Sequence, residues 1–204
     1  MNNKLQVALA QISPVWLNKS ATIEKVESTI TDAAKEGAEL IVFGEGLLPG
    51  YPFWLALTGG AEWDTTVNKE LHAHYVRNSI TIEKGDLDGV CQLAKQHKMA
   101  VYIGIIERPI DRGGHSVYAS LVYIDSLGVI QSVHRKLQPT YDERLTWAPG
   151  DGNGLQVHPF TKHIEGFRQR RSERIIHTIS FEEIKRRKKL KELAPELENE
   201  RKWM

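Results

Sequence analysis

The first 43 residues constrain the fold more tightly than any other stretch of this chain. Residues 5–12 alternate in character and are apolar enough for a buried strand, and residues 20–36 then repeat apolar positions at Ile23, Val26, Ile30 and Ala33 in helical spacing. Gly37 stands where a helix C-cap glycine belongs. Leu40-Ile41-Val42-Phe43 follows as a continuous apolar run, the pattern of a strand covered on both faces. Two strands joined by a helix in so short a span form a parallel crossover, which places the chain in the α/β class.

The next stretch, 44–64, is rich in Gly, Pro and aromatic residues and reads as a long loop with the makings of a pocket wall. Helical spacing returns over 66–79 and 86–98, the second with Leu87, Val90, Cys91 and Ala94 on one face. Residues 100–106 form another apolar strand. Val117–Ile124 and Val129–Val133 then flank Asp125-Ser126-Leu127-Gly128, a hairpin with a glycine-containing turn, so the sheet is expected to be mixed.

Charge divides the chain. Residues 159–204 hold 13 Lys or Arg against 8 Glu, whereas residues 1–158 hold 14 against 18 Asp or Glu, and a boundary near His158 is the natural reading. The tail carries one well-signalled helix near 180–194, opened by the capping box Ser180-Phe181-Glu182-Glu183 and limited by Pro195. Its run Lys185-Arg186-Arg187-Lys188-Lys189 lacks interleaved aromatics and is flanked by glutamates, so it reads as a solvated helical face and not as a nucleic-acid contact. The amino terminus lacks a signal-peptide pattern, and no stretch approaches the ~20 apolar residues of a membrane span. A single cysteine, Cys91, excludes an internal disulfide framework and suits a cytoplasmic protein.

Two segments present reactive groups at strand ends. In Phe43-Gly44-Glu45-Gly46-Leu47-Leu48-Pro49-Gly50-Tyr51-Pro52 a carboxylate directly follows a strand, among glycines that let backbone and ligand approach closely. In His134-Arg135-Lys136-Leu137-Gln138-Pro139-Thr140 a lysine stands just past the hairpin. Taken singly, Glu45 reads as a cap or surface carboxylate and Lys136 as a solvated lysine. The strings around them decide otherwise. VALAQISPVW, FGEGLLPGYPFW and HRKLQPTYDERLTWAPGDG, in that order, resemble the nitrilase branch of the carbon-nitrogen hydrolases over residues 5 to about 157.

That resemblance implies an α-β-β-α sandwich, of which this chain supplies the first half together with its helical basic tail. It implies Glu45 as general base, Lys136 as the cation that stabilises the tetrahedral intermediate, and Glu143 as the auxiliary glutamate that tunes the lysine. The reaction it implies is hydrolysis of a small nitrile or amide through a cysteine, with no metal or organic cofactor. Glu45 and Lys136 are then expected to leave neighbouring strand ends and meet in one pocket, with Glu143 close to the lysine.

One element of the pattern is missing. Where the resemblance calls for the nucleophilic cysteine, the chain reads Thr161-Lys162-His163-Ile164-Glu165-Gly166-Phe167-Arg168, and no cysteine follows Cys91. Cys91 itself sits on an apolar helical stripe and reads as a buried structural thiol. His72 and His74 stand at i and i+2, which do not share a helix face, so they do not read as a metal pair. The expectation is therefore a hydrolase by lineage that is inactive as this chain. The alternatives are a non-catalytic fragment or scaffold that forms a homo-oligomer or joins intact homologues through its open sheet face, and an interaction protein working through the basic tail.

Overall fold

The computed structural model describes residues 5–158, and the tail helix and basic run read from the sequence lie outside the described residues. Five strands form one sheet in the order β1 (Val7–Ala10), β2 (Leu40–Phe43), β3 (Ala100–Glu107), β4 (Tyr118–Ile124) and β5 (Ile130–Arg135). The first three are parallel, and β3, β4 and β5 are antiparallel neighbours, so the sheet is mixed as the sequence led one to expect. Helix α1 (Lys19–Lys35) makes the β1–β2 crossover. It starts where Asn18 accepts from the Ala21 amide at 3.0 Å, and past its end Gly37 takes a left-handed φ of +80°. Helices α2 (Trp54–Leu57), α3 (Thr66–Asn78) and α4 (Asp88–His97) lie between β2 and β3.

Strand alternation sorts the side chains onto two faces. Ala8, Ala10, Ile41, Phe43, Val101, Ile103, Ile105, Val122 and Ile124 face α1 and α4, whose Val26, Ile30, Val90 and Ala94 complete a mainly aliphatic core, fully buried except at Ala8 and Ala10. Each buried Val, Ile or Phe among them contributes about 1.5–3 kcal/mol relative to exposure, so this layer carries most of the stability of the sheet. A second, smaller cluster lies on the other face. There Ile106 and Ala119 meet Trp54 and Leu55 of α2, Tyr75 and Val76 of α3, and Leu17, Val117 and Trp147.

Three sequence expectations are corrected. The first strand is not buried: Leu9 is 67% exposed and Val7 41%, because β1 is the outer strand and both residues point away from α1 and α4 to where the described residues provide no cover. The 44–64 stretch is not free of regular structure, since Trp54-Leu55-Ala56-Leu57 closes a short helix behind Pro52 and buries its indole in the second cluster. Finally, β2 and β5 are not neighbours, since β3 and β4 lie between them.

Candidate active site

How Glu45 reaches Lys136 across two intervening strands follows from one glycine. Chain pairing between β2 and β3 stops at Val42 and Tyr102, and it resumes only where Leu48 bridges Ile105, donating to the Gly104 carbonyl and accepting from the Ile106 amide. Residues 44–47 are thus looped out of the ladder. They cross β3 over Gly104, where a Cβ would meet the Gly44 carbonyl oxygen at 2.2 Å and the Glu45 Cα at 2.6 Å. Only glycine lets the excursion lie this close to the sheet. It does so on the face opposite α1 and α4, because Gly104 alternates with Ile103 and Ile105.

Lys136 emerges on the same face. Its amide donates to the Ala119 carbonyl at 2.8 Å, continuing the β4–β5 register one step beyond the pair Ser120–Arg135 and aligning it with Ala119 and Ile106. The ammonium then lies 3.0 Å from Glu45 Oε1 and 2.9 Å from Glu143 Oε2, with the Trp147 ring centroid 5.5 Å away. Burial works against its charge, but the hydrogen bond it donates to Glu143 and the charge of Glu45 outweigh it and hold the ammonium above the ordinary lysine range.

Glu143 is the most enclosed of the three, 4% exposed, and local structure fixes its aim. Thr140 opens a 3-10 turn over Tyr141–Leu145, and its amide and hydroxyl both donate to Glu143 Oε2, at 2.7 and 3.0 Å. This is a capping box, and the signal was in the sequence as Thr140-x-x-Glu143. This box was not singled out there. Trp147 was also missed. Its indole nitrogen donates to the Tyr75 hydroxyl at 3.0 Å, and Tyr75 donates in turn to the Gly50 carbonyl at 3.1 Å, so the wall beside Lys136 is tied to the loop that follows Glu45. Tyr51 stacks edge-on against Trp147 at 5.5 Å.

The three candidate site residues read from the sequence therefore meet, although β2 and β5 do not. Cys91 stands apart. It packs with the α1/α4 core on the opposite side of the sheet, and burial, then the charges of Asp88 and Asp125, push its thiol above the usual range. His74 Nε2 lies 3.2 Å from the Leu17 carbonyl, and burial lowers the pKa of His72. Among the described residues no group of three or more His, Cys, Asp or Glu is disposed around a common metal position, and no helix is long and apolar enough to cross a membrane.

Comparison with known proteins gives this geometry a context. The family described as carbon-nitrogen hydrolase matches residues 6–165. A prokaryotic protein called nitrilase 2 is 37% identical over 156 residues, covering 76% of this chain and 48% of its own length. An arylacetonitrilase of Aspergillus niger is 37% identical over 154 residues, with 76% and 42% covered, and an aliphatic nitrilase of Rhodococcus rhodochrous is 34% identical over 166 residues, with 78% and 42% covered. The chain thus spans a little under half the length of these relatives. Among solved structures, a double mutant of the amidase from Nesterenkonia sp. AN1 in complex with acrylamide superposes with a TM-score of 0.52 at 14% identity, over 74% of this chain and 50% of that one.

Proposed function

The chain belongs to the carbon-nitrogen hydrolase family, and from that premise we propose that it carries the glutamate–lysine–glutamate part of a nitrile- or amide-hydrolysing site but does not turn substrate over by itself. The observation that carries this reading is the ammonium of Lys136 held at 3.0 and 2.9 Å between two carboxylates on one face of the sheet. In nitrile hydrolysis a nucleophile attacks the nitrile carbon, and negative charge develops on the nitrogen. Lys136 suits the task of stabilising that charge, and Glu45, the more exposed of its two carboxylates, suits that of taking the nucleophile's proton and later activating water. Glu143 keeps the lysine charged and aimed. A first water adds to the resulting imidate, ammonia leaves from that adduct, and a second water converts the acyl intermediate to the acid.

Among the described residues no cysteine thiol is supplied to that face. One solved relative carries an active-site cysteine to which acrylamide adds. The single cysteine here lies across the sheet with a raised pKa, which favours the neutral thiol. Without a covalent nucleophile, Glu45 and Lys136 can only position water, and rate falls by a factor on the order of 10⁶.

The test is ammonia release by the purified full chain from a panel of aromatic and aliphatic nitriles and amides. No release above buffer is expected. Turnover that survives Cys91→Ala would mean another nucleophile acts, and turnover abolished by that change would make Cys91 the nucleophile. Exposed Val7 and Leu9 favour a second reading, that the chain associates with a second copy or an intact relative through the open sheet face. A monomer by light scattering, with no retention on an intact relative, would exclude it.

A further inference from the structure

Directly behind Lys136 stands a charged cluster that the chemistry above does not use. On the α1/α4 face, at the end of the row Ile105–Ser120–Arg135, the Arg135 guanidinium grips Glu107 with both prongs, Nε to Oε2 at 2.8 Å and Nη2 to Oε1 at 2.6 Å. Ser120 donates to the same Oε2 at 2.7 Å, and the guanidinium carbon lies 4.6 Å from the Tyr118 ring centroid. The third guanidinium nitrogen donates to Asp151 at 3.2 Å, in the segment whose Gly150 amide donates to the Lys136 carbonyl at 2.9 Å. Glu107 is 4% exposed, so its charge must be met inside the protein.

A buried ion pair is a weak source of net stability, because desolvation offsets much of the attraction. What a forked pair supplies is orientation, since two parallel hydrogen bonds admit one geometry. Here the fork joins β3, β4 and β5 at the residue preceding Lys136. Successive strand residues point to opposite faces, so fixing Arg135 on one side fixes the direction in which Lys136 leaves on the other.

We infer that Arg135 and Glu107 are positioning residues for Lys136, a clamp on one face of the sheet that delivers the ammonium between Glu45 and Glu143 on the other. The inference rests on the reading of Glu45, Lys136 and Glu143 as one site. Neither Arg135 nor Glu107 touches that site directly, and a substitution for Arg135 acts through the placement of Lys136.

The test reads the lysine itself. Only the neutral amine is acylated, so competitive labelling of the full chain with acetic anhydride across pH, read by mass spectrometry, follows the proton on Lys136 and needs no turnover. With the clamp intact the ammonium faces Glu45, Glu143 and Trp147 and labels slowly. Arg135→Met is expected to raise labelling of Lys136 below pH 10 about tenfold, one unit of apparent pKa, and to leave Lys19, paired with Asp86 elsewhere, unchanged. Arg135→Lys keeps the charge but loses the fork, and is expected to give a smaller rise in the same direction. Should Arg135→Met accelerate every lysine through unfolding, Arg135→Lys decides. A wild-type Lys136 rate in Arg135→Lys, with or without a lower Tm, overturns the clamp and leaves the cluster a structural pair. Glu45→Gln separates this from the functional reading. A rise in Glu45→Gln without one in Arg135→Lys sinks the clamp alone, whereas the reverse sinks the Glu45–Lys136 site and keeps the clamp.

Discussion

The two faces of the sheet are made of different materials. Against α1 and α4 the side chains are mostly aliphatic and interlocked, with Phe43 among them, and the Glu107–Arg135 pair stands at the strand ends. On the other face aromatics surround an ammonium and two carboxylates, and β1 leaves Val7 and Leu9 in the open. The contrast separates stability from chemistry. A packed apolar layer tolerates little change in volume, while the opposite face spends buried space on the charges assigned above to the proposed site. Cys91 belongs to the first face, so on the function proposed above its thiol does not complete the site.

Ways of breaking the contrast rank by expected effect. Ile103→Ala removes a fully buried side chain from the aliphatic face and is expected to cost about 2–5 kcal/mol in urea unfolding. Leu9→Ala, on the open face, is expected to stay within about 0.5 kcal/mol. Equal costs for the two would mean that β1 is covered on the site face in solution.

Gly104→Ala comes next and probes the close approach beneath Glu45. An added Cβ at 2.2 Å from the Gly44 carbonyl oxygen meets backbone and not a yielding side chain, so about 1–3 kcal/mol of stability should be lost and Glu45 displaced from Lys136. A crystal structure of the variant that keeps the Glu45–Lys136 contact would contradict this account of the excursion.

Much of this architecture was legible in the residues. The crossover, the hairpin and α4 follow from periodicity and turn chemistry, which are local. Glu45 and Lys136 were legible as a pair only through the strings around them. Their meeting depends on Gly104, some sixty residues from Glu45, and a glycine inside an apolar strand does not say what will lie on it. For the same reason the exposure of β1 escaped notice, since Val7 and Leu9 look like core residues until their partner surface is sought. The Glu107–Arg135 clamp left only a faint trace, a carboxylate closing an eight-residue strand that is otherwise apolar or aromatic.

A smaller effect is expected with pH. Lys136 has a folded pKa above its ordinary value of 10.5, so the stability contributed by its charge is fully present below pH 10.5 and lost as pH rises through the higher folded value. Glu45→Gln removes one cause of the elevation. Its stability deficit relative to wild type should therefore be constant between pH 7 and 9 and shrink above pH 10.5, as followed by urea midpoints. A deficit that grows above pH 10.5 would assign the wrong sign to the interaction.

The most direct test is a double-mutant cycle on Glu45 and Lys136, using Glu45→Gln, Lys136→Met and the pair, set beside the same cycle on the exposed pair Asp32 and Lys35. Charges that converge in a half-buried site should couple by about 1 kcal/mol or more, whereas an exposed i,i+3 pair is expected to give about 0.3–0.5 kcal/mol or less. A Glu45–Lys136 coupling no larger than that of the surface pair would contradict the claim that the looped-out segment and the end of β5 build one site.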